Sequence, residues 1–575
     1  MESRLFQMDR RSNRYWNAKQ PDRLQILKFV DFAPALNRIE APSGSDKPTR
    51  SPASCSTSFQ QPPLFIDQSI LMKQFSTFFL LILSCFVGFA SADWKDDIGF
   101  TRLQTELGAS TPTGDGVGVS QVEAGSNTNY MPDTTSGQFT GKALVDATGT
   151  QGASSFSHAT GVANVFFGNT ASIAPDVSSI RSYQAIDWLN NQLGSTTGTE
   201  PVSHTFSDLA ETIPLKVQNH SWVSRPPARD DYDSDAEYDE AVLNAISDST
   251  FISERVDFLV NRDDLLVVGG TDNGSSSPLP YLLAPSYNSL IVGRTDGSHA
   301  AGTTSFYGSE RYLPHIVASG GVTSTATPMV ASTAAMLYEV ADGSNADHVE
   351  TMRAVLMAGA TKEEFVTWDR TTTRPLDERY GVGEVNAYNS YQIIATDETD
   401  GSSTTPTLVG EYGYDFVETG DQSIDFDTNP MQYQFDVESG FEMDELSIFL
   451  SWNINVQNTA VNPGDLNTQV DFTPGTGDLA NLDMKLFDAS NMLIDESVST
   501  LYNFEHLYLT DLVAGSYRLE VSGDQLVDYG LAWRYSISAI PEPNSFTALA
   551  VIGCGLSFPR RRHSSVRGRQ TRRNP

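Results

Sequence analysis

Thr323-Ser324-Thr325-Ala326-Thr327-Pro328 sets a hydroxyl nucleophile where a helix is about to begin. A serine in the first turn of a helix has a backbone N–H with no intrahelical partner, and such donors face a developing oxyanion. Proline is tolerated near a helix start, where its missing N–H costs nothing. The residues that follow, Ala331, Ser332, Thr333, Ala334 and Ala335 among them, are small enough to sink the helix into a core and fix the hydroxyl in space. Thr-Ser-x-Ala alone also opens ordinary helices, so the surrounding sequence has to decide.

The hexapeptide resembles the serine motif of the subtilisin-like serine peptidases (subtilases), Gly-Thr-Ser-Met-Ala-Thr-Pro. That family orders its triad acid, histidine, serine, and the order is itself a test. Upstream, Ser157-His158-Ala159-Thr160-Gly161-Val162-Ala163 is similar to the family's His-Gly-Thr-His-Val-Ala, and Ile173-Ala174-Pro175-Asp176 to its Val-Ala-Pro-Asp. Further upstream, Gly116-Val117-Gly118-Val119-Ser120-Gln121-Val122-Glu123-Ala124-Gly125 resembles Gly-Val-x-Val-Ala-Val-Ile-Asp-Thr-Gly. Val217-Gln218-Asn219-His220-Ser221-Trp222 resembles the strand that lines the substrate cleft, and Tyr380 to Ala387 the family's closing segment. The likeness spans roughly residues 95–398. It implies a peptidase acting on a peptide or protein substrate, with Ser324 as nucleophile, His158 as base and Glu123 as the acid that orients the base.

Three positions depart from the family. Glu123 stands where aspartate is usual, one methylene longer. The acid accepts the histidine N–H and stabilises the imidazolium, which glutamate does in other hydrolases. Gly161 replaces the motif's second histidine, which is not the base. Leu266 to Gly274 resembles Val-Val-Val-Ala-Ala-Gly-Asn-x-Gly, but counting back from Gly274 puts Asp272 in the asparagine slot, with Asn273 beside it. An ionised aspartate repels an oxyanion, so either Asn273 swings into place or Asp272 is held protonated. Losing such a donor costs about two to three orders of magnitude in rate. Drift at all three segments also gives a rival reading, a catalytically impaired subtilase fold that binds a surface or matrix. The other histidines lie outside the motif and read as surface or core residues.

The elements that must hold these residues alternate. Apolar β-branched runs (117–122, 217–218, 265–268, 290–292) are interleaved with helical stretches (159–167, 241–259, 328–338, 349–357). This predicts an α/β domain, a parallel sheet with helices on both faces, as in subtilases. From about residue 405 the period becomes two: Leu446, Ile448, Leu450 and Trp452 alternate with Ser447 and Ser451, and Trp533, Tyr535 and Ile537 with Arg534 and Ser536. That predicts an all-β antiparallel sandwich. Leu482 to Asp488 and Leu512 to Tyr517 look like a bacterial pre-peptidase C-terminal domain. Asp230-Asp231-Tyr232-Asp233-Ser234-Asp235-Ala236-Glu237 lacks the glycine and final glutamate of an EF-hand loop. It reads instead as a loop entering an acidic first helical turn. No cofactor or metal is expected, with structural calcium left open.

Met72-Lys73 followed by an apolar stretch and Ala90-Ser91-Ala92 reads as a secretory signal peptide. Residues 1–71 then read as a misassigned N-terminal extension. At the other end, Ile540-Pro541-Glu542-Pro543, an apolar stretch from Phe546 to Phe558 and Arg560-Arg561-Arg562 resemble a PEP-CTERM sorting signal. That resemblance implies an exosortase-type processing partner, a transient membrane tether and a secreted or cell-surface location in a Gram-negative bacterium. The expected plan is 1–71 extension, 72–92 signal, 93–398 catalytic domain, 399–404 linker, 405–539 sandwich and 540–575 sorting tail.

Of 37 Lys and Arg, 11 precede residue 93 and 7 follow residue 539; of 72 Asp and Glu, 7 and 1 do, leaving a net charge of −45 between them. Such acidity argues against nucleic acid as a partner. All three cysteines, Cys55, Cys85 and Cys554, fall outside that core, which excludes disulfides and thiolate chemistry there.

Overall fold

The segment after Val117, with Val119 and Val122 as its apolar residues, forms strand β1 (Gly118–Glu123), buried along its whole length. The computed structural model describes residues 93–540 apart from 178, 194–214, 419–428, 459–471, 475–478 and 526. The expected extension, signal peptide and sorting tail beyond Ile540 lie outside the described residues. After β1 come β2 (Ala143–Asp146), β3 (Ser179–Gln184), β4 (Leu215–His220), β5 (Leu266–Gly270), β6 (Leu290–Arg294) and β7 (Ile316–Ala318). All pair in parallel, in the order β7-β6-β5-β4-β1-β3-β2. Every residue of β1 and β5 is buried, so both faces of the sheet are covered. The expected α/β class is what the structure has.

The strand order sets the position of the site. The chain winds outward from β1 to one edge, then crosses back to β4 and winds toward the other edge. At such a reversal the connections leave a crevice beyond the carboxyl ends of the strands. Glu123 is the last residue of β1 and lies at that point.

The helices that matter are α1 (Ser157–Phe167), α2 (Asp235–Asp263), α3 (Thr323–Ala341), α4 (Val349–Gly359) and α5 (Ala387–Ile394). The acidic run at 230–237 ends in a capping box, Ser234 and Glu237 exchanging side-chain and backbone bonds at the start of α2. Among the described residues no helix is long and apolar enough to cross a membrane.

The C-terminal half is a two-sheet sandwich. Its strands are β8 (Thr407–Leu408), β9 (Tyr412–Val417), β10 (Met431–Val437), β11 (Phe441–Trp452), β12 (Leu482–Asp488), β13 (Leu493–Ser497), β14 (Phe504–Leu512), β15 (Gly515–Gly523) and β16 (Tyr529–Ala539). One sheet runs β8-β10-β15-β12-β13 and the other β9-β16-β11-β14. Pairing is antiparallel except for the short edge strand β8 against β10. Leu446, Ile448, Leu450 and Trp452 point between the sheets with Tyr433, Leu486 and Trp533.

The alternate, more polar face of β11 and β16 is buried as well, against the α/β half. Phe449 and Ala532 belong to that half's apolar core. All eleven residues of α4 are buried, the helix lying between the sheet layer and β11 and β16. Arg353 of α4 donates to Trp452 O at 2.8 Å, Ser451 Oγ at 3.1 Å and Asn453 Oδ1 at 2.7 Å. Arg534 of β16 reaches the other way, to Ala358 O at 2.9 Å and Ala360 O at 3.0 Å, while pairing with Glu445 at 2.6 Å. The polar segment between the halves is hydrogen-bonded along the sandwich: Thr399 N–H donates to Tyr414 O at 3.0 Å and Gly401 N–H to Asp415 Oδ2 at 2.8 Å.

Candidate active site

Residues two apart on a strand share a face, so Gln121 and Glu123 point the same way from β1. Glu123 is 1 % exposed. His158 is the second residue of α1 and turns back toward the strand end. Its Nδ1 lies 2.8 Å from Glu123 Oε2. The other carboxylate oxygen, Oε1, accepts from Gln121 Nε2 at 3.0 Å, and the same amide donates to Ala159 O at 2.9 Å. Burial pushes the Glu123 carboxyl above its ordinary range, and its bonds to His158 and then Gln121 pull it back.

Ser324 is the second residue of α3, and α1 packs against α3. The cap residue Val322 offers no side-chain acceptor to the helix start. Asn273, in the loop after β5, supplies one: its Oδ1 accepts the Thr323 N–H at 2.8 Å and the Thr323 hydroxyl at 3.3 Å. A backbone N–H needs an acceptor, so the amide oxygen faces Thr323 and the Nδ2 group is left to donate elsewhere. Gly270 makes this approach possible, since a Cβ there would sit 2.7 Å from Thr327 Oγ1 in the first turns of α3.

Asp272 is drawn into a different contact. Arg225 forks onto its carboxylate, Nε to Oδ2 at 2.5 Å and Nη2 to Oδ1 at 3.0 Å. Oδ1 also receives the Asn273 N–H at 2.8 Å. Arg225 and Asp272 border an open depression of about 560 Å³, completed by Gly274, Ser275, Ser276, Ser277 and Pro278. Both Arg225 and Gln121 escaped the sequence reading. Gln121 was legible as the residue two before the acid on the same strand face; Arg225 carried no signal.

Among the described residues, four histidines outside the motif are buried and held neutral. Burial pushes His220 and His315 down to about 3 and His299 to about 4, and lowers His506 as well. His220 Nε2 lies 2.8 Å from the Gln218 side-chain amide, which in turn meets Ser120 Oγ at 3.0 Å.

Among the described residues, two groups have ligand atoms close enough together to hold a cation: Asp264, His348 and Glu350, and Glu398, Asp400 and Asp415. Asp264 also pairs with Lys216, Glu350 accepts from Asn453, and Asp415 accepts from Tyr433 and Gly401. These oxygens already have protein donors.

No family model matches the sequence, and no curated protein does. Among solved structures, a protease from Pseudoalteromonas arctica is similar at 16 % identity over 51 % of this chain and 94 % of its own, with a TM-score of 0.29. A cold adapted subtilisin-like serine proteinase is similar at 17 % identity over 48 % and 88 %, with a TM-score of 0.28. The epidermin leader peptide processing serine protease of Staphylococcus aureus is similar at 14 % identity over 53 % and 81 %, with a TM-score of 0.32. Superpositions this loose bear on neither mechanism nor substrate.

Proposed function

We propose that the chain is a serine-type endopeptidase of the subtilisin kind, with Ser324 as nucleophile, His158 as general base and Glu123 as the acid that orients it. The observation that carries this reading is the 2.8 Å contact of His158 Nδ1 with the buried carboxylate of Glu123. A carboxylate on Nδ1 holds the proton there, leaves Nε2 as the base and stabilises the imidazolium that forms. Ser324 Oγ attacks the scissile carbonyl carbon while its proton passes to His158 Nε2, and the carbonyl electron pair moves onto oxygen. The Ser324 backbone N–H and the Asn273 Nδ2 group receive that oxyanion. Collapse breaks the C–N bond, and the leaving amine takes the proton from His158. Water then repeats the sequence to release the acyl group.

The Asn273 assignment is supported over Asp272 by their partners. The Asn273 amide is oriented by Thr323, next to Ser324, whereas the Asp272 carboxylate is spent on Arg225. The substrate class is peptide or protein. Secretion or surface display, exosortase-type processing and a transient tether follow from the sequence signals at 72–92 and 540–575.

A fluorophosphonate probe is expected to label the protein, and Ser324→Ala and His158→Ala to abolish labelling. Labelling that persists in Ser324→Ala overturns the assignment. An unaltered chain that shows neither labelling nor turnover of an unfolded protein would instead fit the impaired, binding-only scaffold.

A further inference from the structure

We propose that Gln121 is a positioning residue of this site, holding the Glu123 carboxylate and the first turn of α1 in one register. Its kinetic consequence rests on the peptidase reading; its geometry does not. The Gln121 amide has two hydrogens and both are committed, one to Glu123 Oε1 at 3.0 Å and one to Ala159 O at 2.9 Å. Ala159 follows His158 in the chain, and His158 Nδ1 meets the other oxygen of Glu123 at 2.8 Å. The contacts therefore close a ring, Gln121 to Glu123 to His158 to Ala159 and back to Gln121.

The amide cannot be reversed within that ring. Its oxygen would then face a carboxylate oxygen and a backbone carbonyl, two acceptors against an acceptor. In the observed orientation Gln121 Oε1 is buried without a partner. A side chain that merely filled space here would do better without polar atoms, because an unpaired buried acceptor is destabilising. The donor is what the position needs. Glutamate has one more free torsion than aspartate, and a carboxylate on a longer arm must be pinned at its second oxygen to present the first one squarely to Nδ1. Gln121 supplies that pin, and anchors it on the same helical turn that carries the base.

The test uses the full-length chain with ¹⁵N-labelled histidine. Gln121→Met, apolar and similar in length, is expected to lower kcat by about tenfold to a hundredfold with KM unchanged. It is also expected to shift or broaden the His158 Nδ1–H resonance, identified by its loss in Glu123→Ala. In a Glu123→Ala background, Gln121→Met is expected to add nothing further. Unchanged kcat and an unchanged resonance in Gln121→Met overturn the inference, and so does an equal loss in both backgrounds. Should Gln121→Met fail to fold, Gln121→Asn, which keeps the amide but withdraws it by one methylene, is held to the same outcomes. If the unaltered chain has no activity and no reaction with a fluorophosphonate, the peptidase reading fails, and the resonance alone decides the placement of Gln121.

Discussion

The side-chain oxygen of Asn273 accepts the backbone N–H of Thr323 at 2.8 Å, so the residue ahead of Ser324 orients the amide beside it. Asn273→Ala is expected to lower kcat by about 10²–10³ with little change in KM, the usual result of losing one oxyanion donor. Asp272→Asn is expected to leave kcat near that of the unaltered chain and to lower the melting temperature, because Arg225 loses its charged partner. Steady-state kinetics on the two variants separate the roles; a larger kcat loss in Asp272→Asn would exchange them.

Glu123→Gln keeps the size of the acid and favours the wrong imidazole tautomer, so the rate is expected to fall by about three to four orders of magnitude. Glu123→Asp shortens the reach to His158 Nδ1, and misplacement by about an ångström costs about a hundredfold. Full activity in Glu123→Asp would show that the strand end is not set back for glutamate. Normal hydrolysis by Glu123→Ala would remove the residue from the mechanism.

Arg534→Met leaves Glu445 and the carbonyls of Ala358 and Ala360 without their shared donor. Breaking a buried ion pair costs about 3–5 kcal/mol. Because α4 is buried between the two halves, that loss is expected to lower one cooperative unfolding transition of the whole described region. Scanning calorimetry checks this, and two separated transitions would show halves that fold independently.

Lys362 is 4 % exposed, with Nζ 4.4 Å from the Tyr508 ring centroid and 3.3 Å from Ala360 O. Burial first, and the charge of Arg534 after it, push its amine down to about 7. Between about 7 and the unfolded value of 10.5 the unfolded chain binds more protons than the folded one, so this group makes stability rise with pH across that window. The limit is about 1.4 kcal/mol per pH unit. Lys362→Met is expected to raise stability at pH 7 and to flatten the rise from pH 7 to 9, measured by denaturant unfolding. An unchanged slope would remove Lys362 as its source.

The sequence carried much of this because the runs at 265–268 and 290–292 are apolar throughout, so both faces of those strands need cover, as in a parallel sheet layered with helices. It missed β3, whose Arg181, Ser182 and Gln184 look like loop residues yet are buried beside β1. Polar residues on a buried strand break the pattern that reveals strands. Glu123 and His158 were readable as an ordered pair, and the structure adds their contact. Asp272 and Asn273 stood level in the sequence, because the contact that distinguishes them, the Arg225 fork on Asp272, comes from forty-seven positions upstream. Ser447, Ser451 and Arg534 read as the polar side of a strand; nothing in their spacing says that a second domain covers them.

That covered face has a consequence for any cut between Thr396 and Ser403. A nick there would sever one chain crossing and leave Arg353, Arg534 and the shared apolar core in place. The two fragments would stay together as a complementing pair, co-eluting until a denaturant separates them. Cleavage at that segment would not release the α/β half alone, and the sandwich would travel with it.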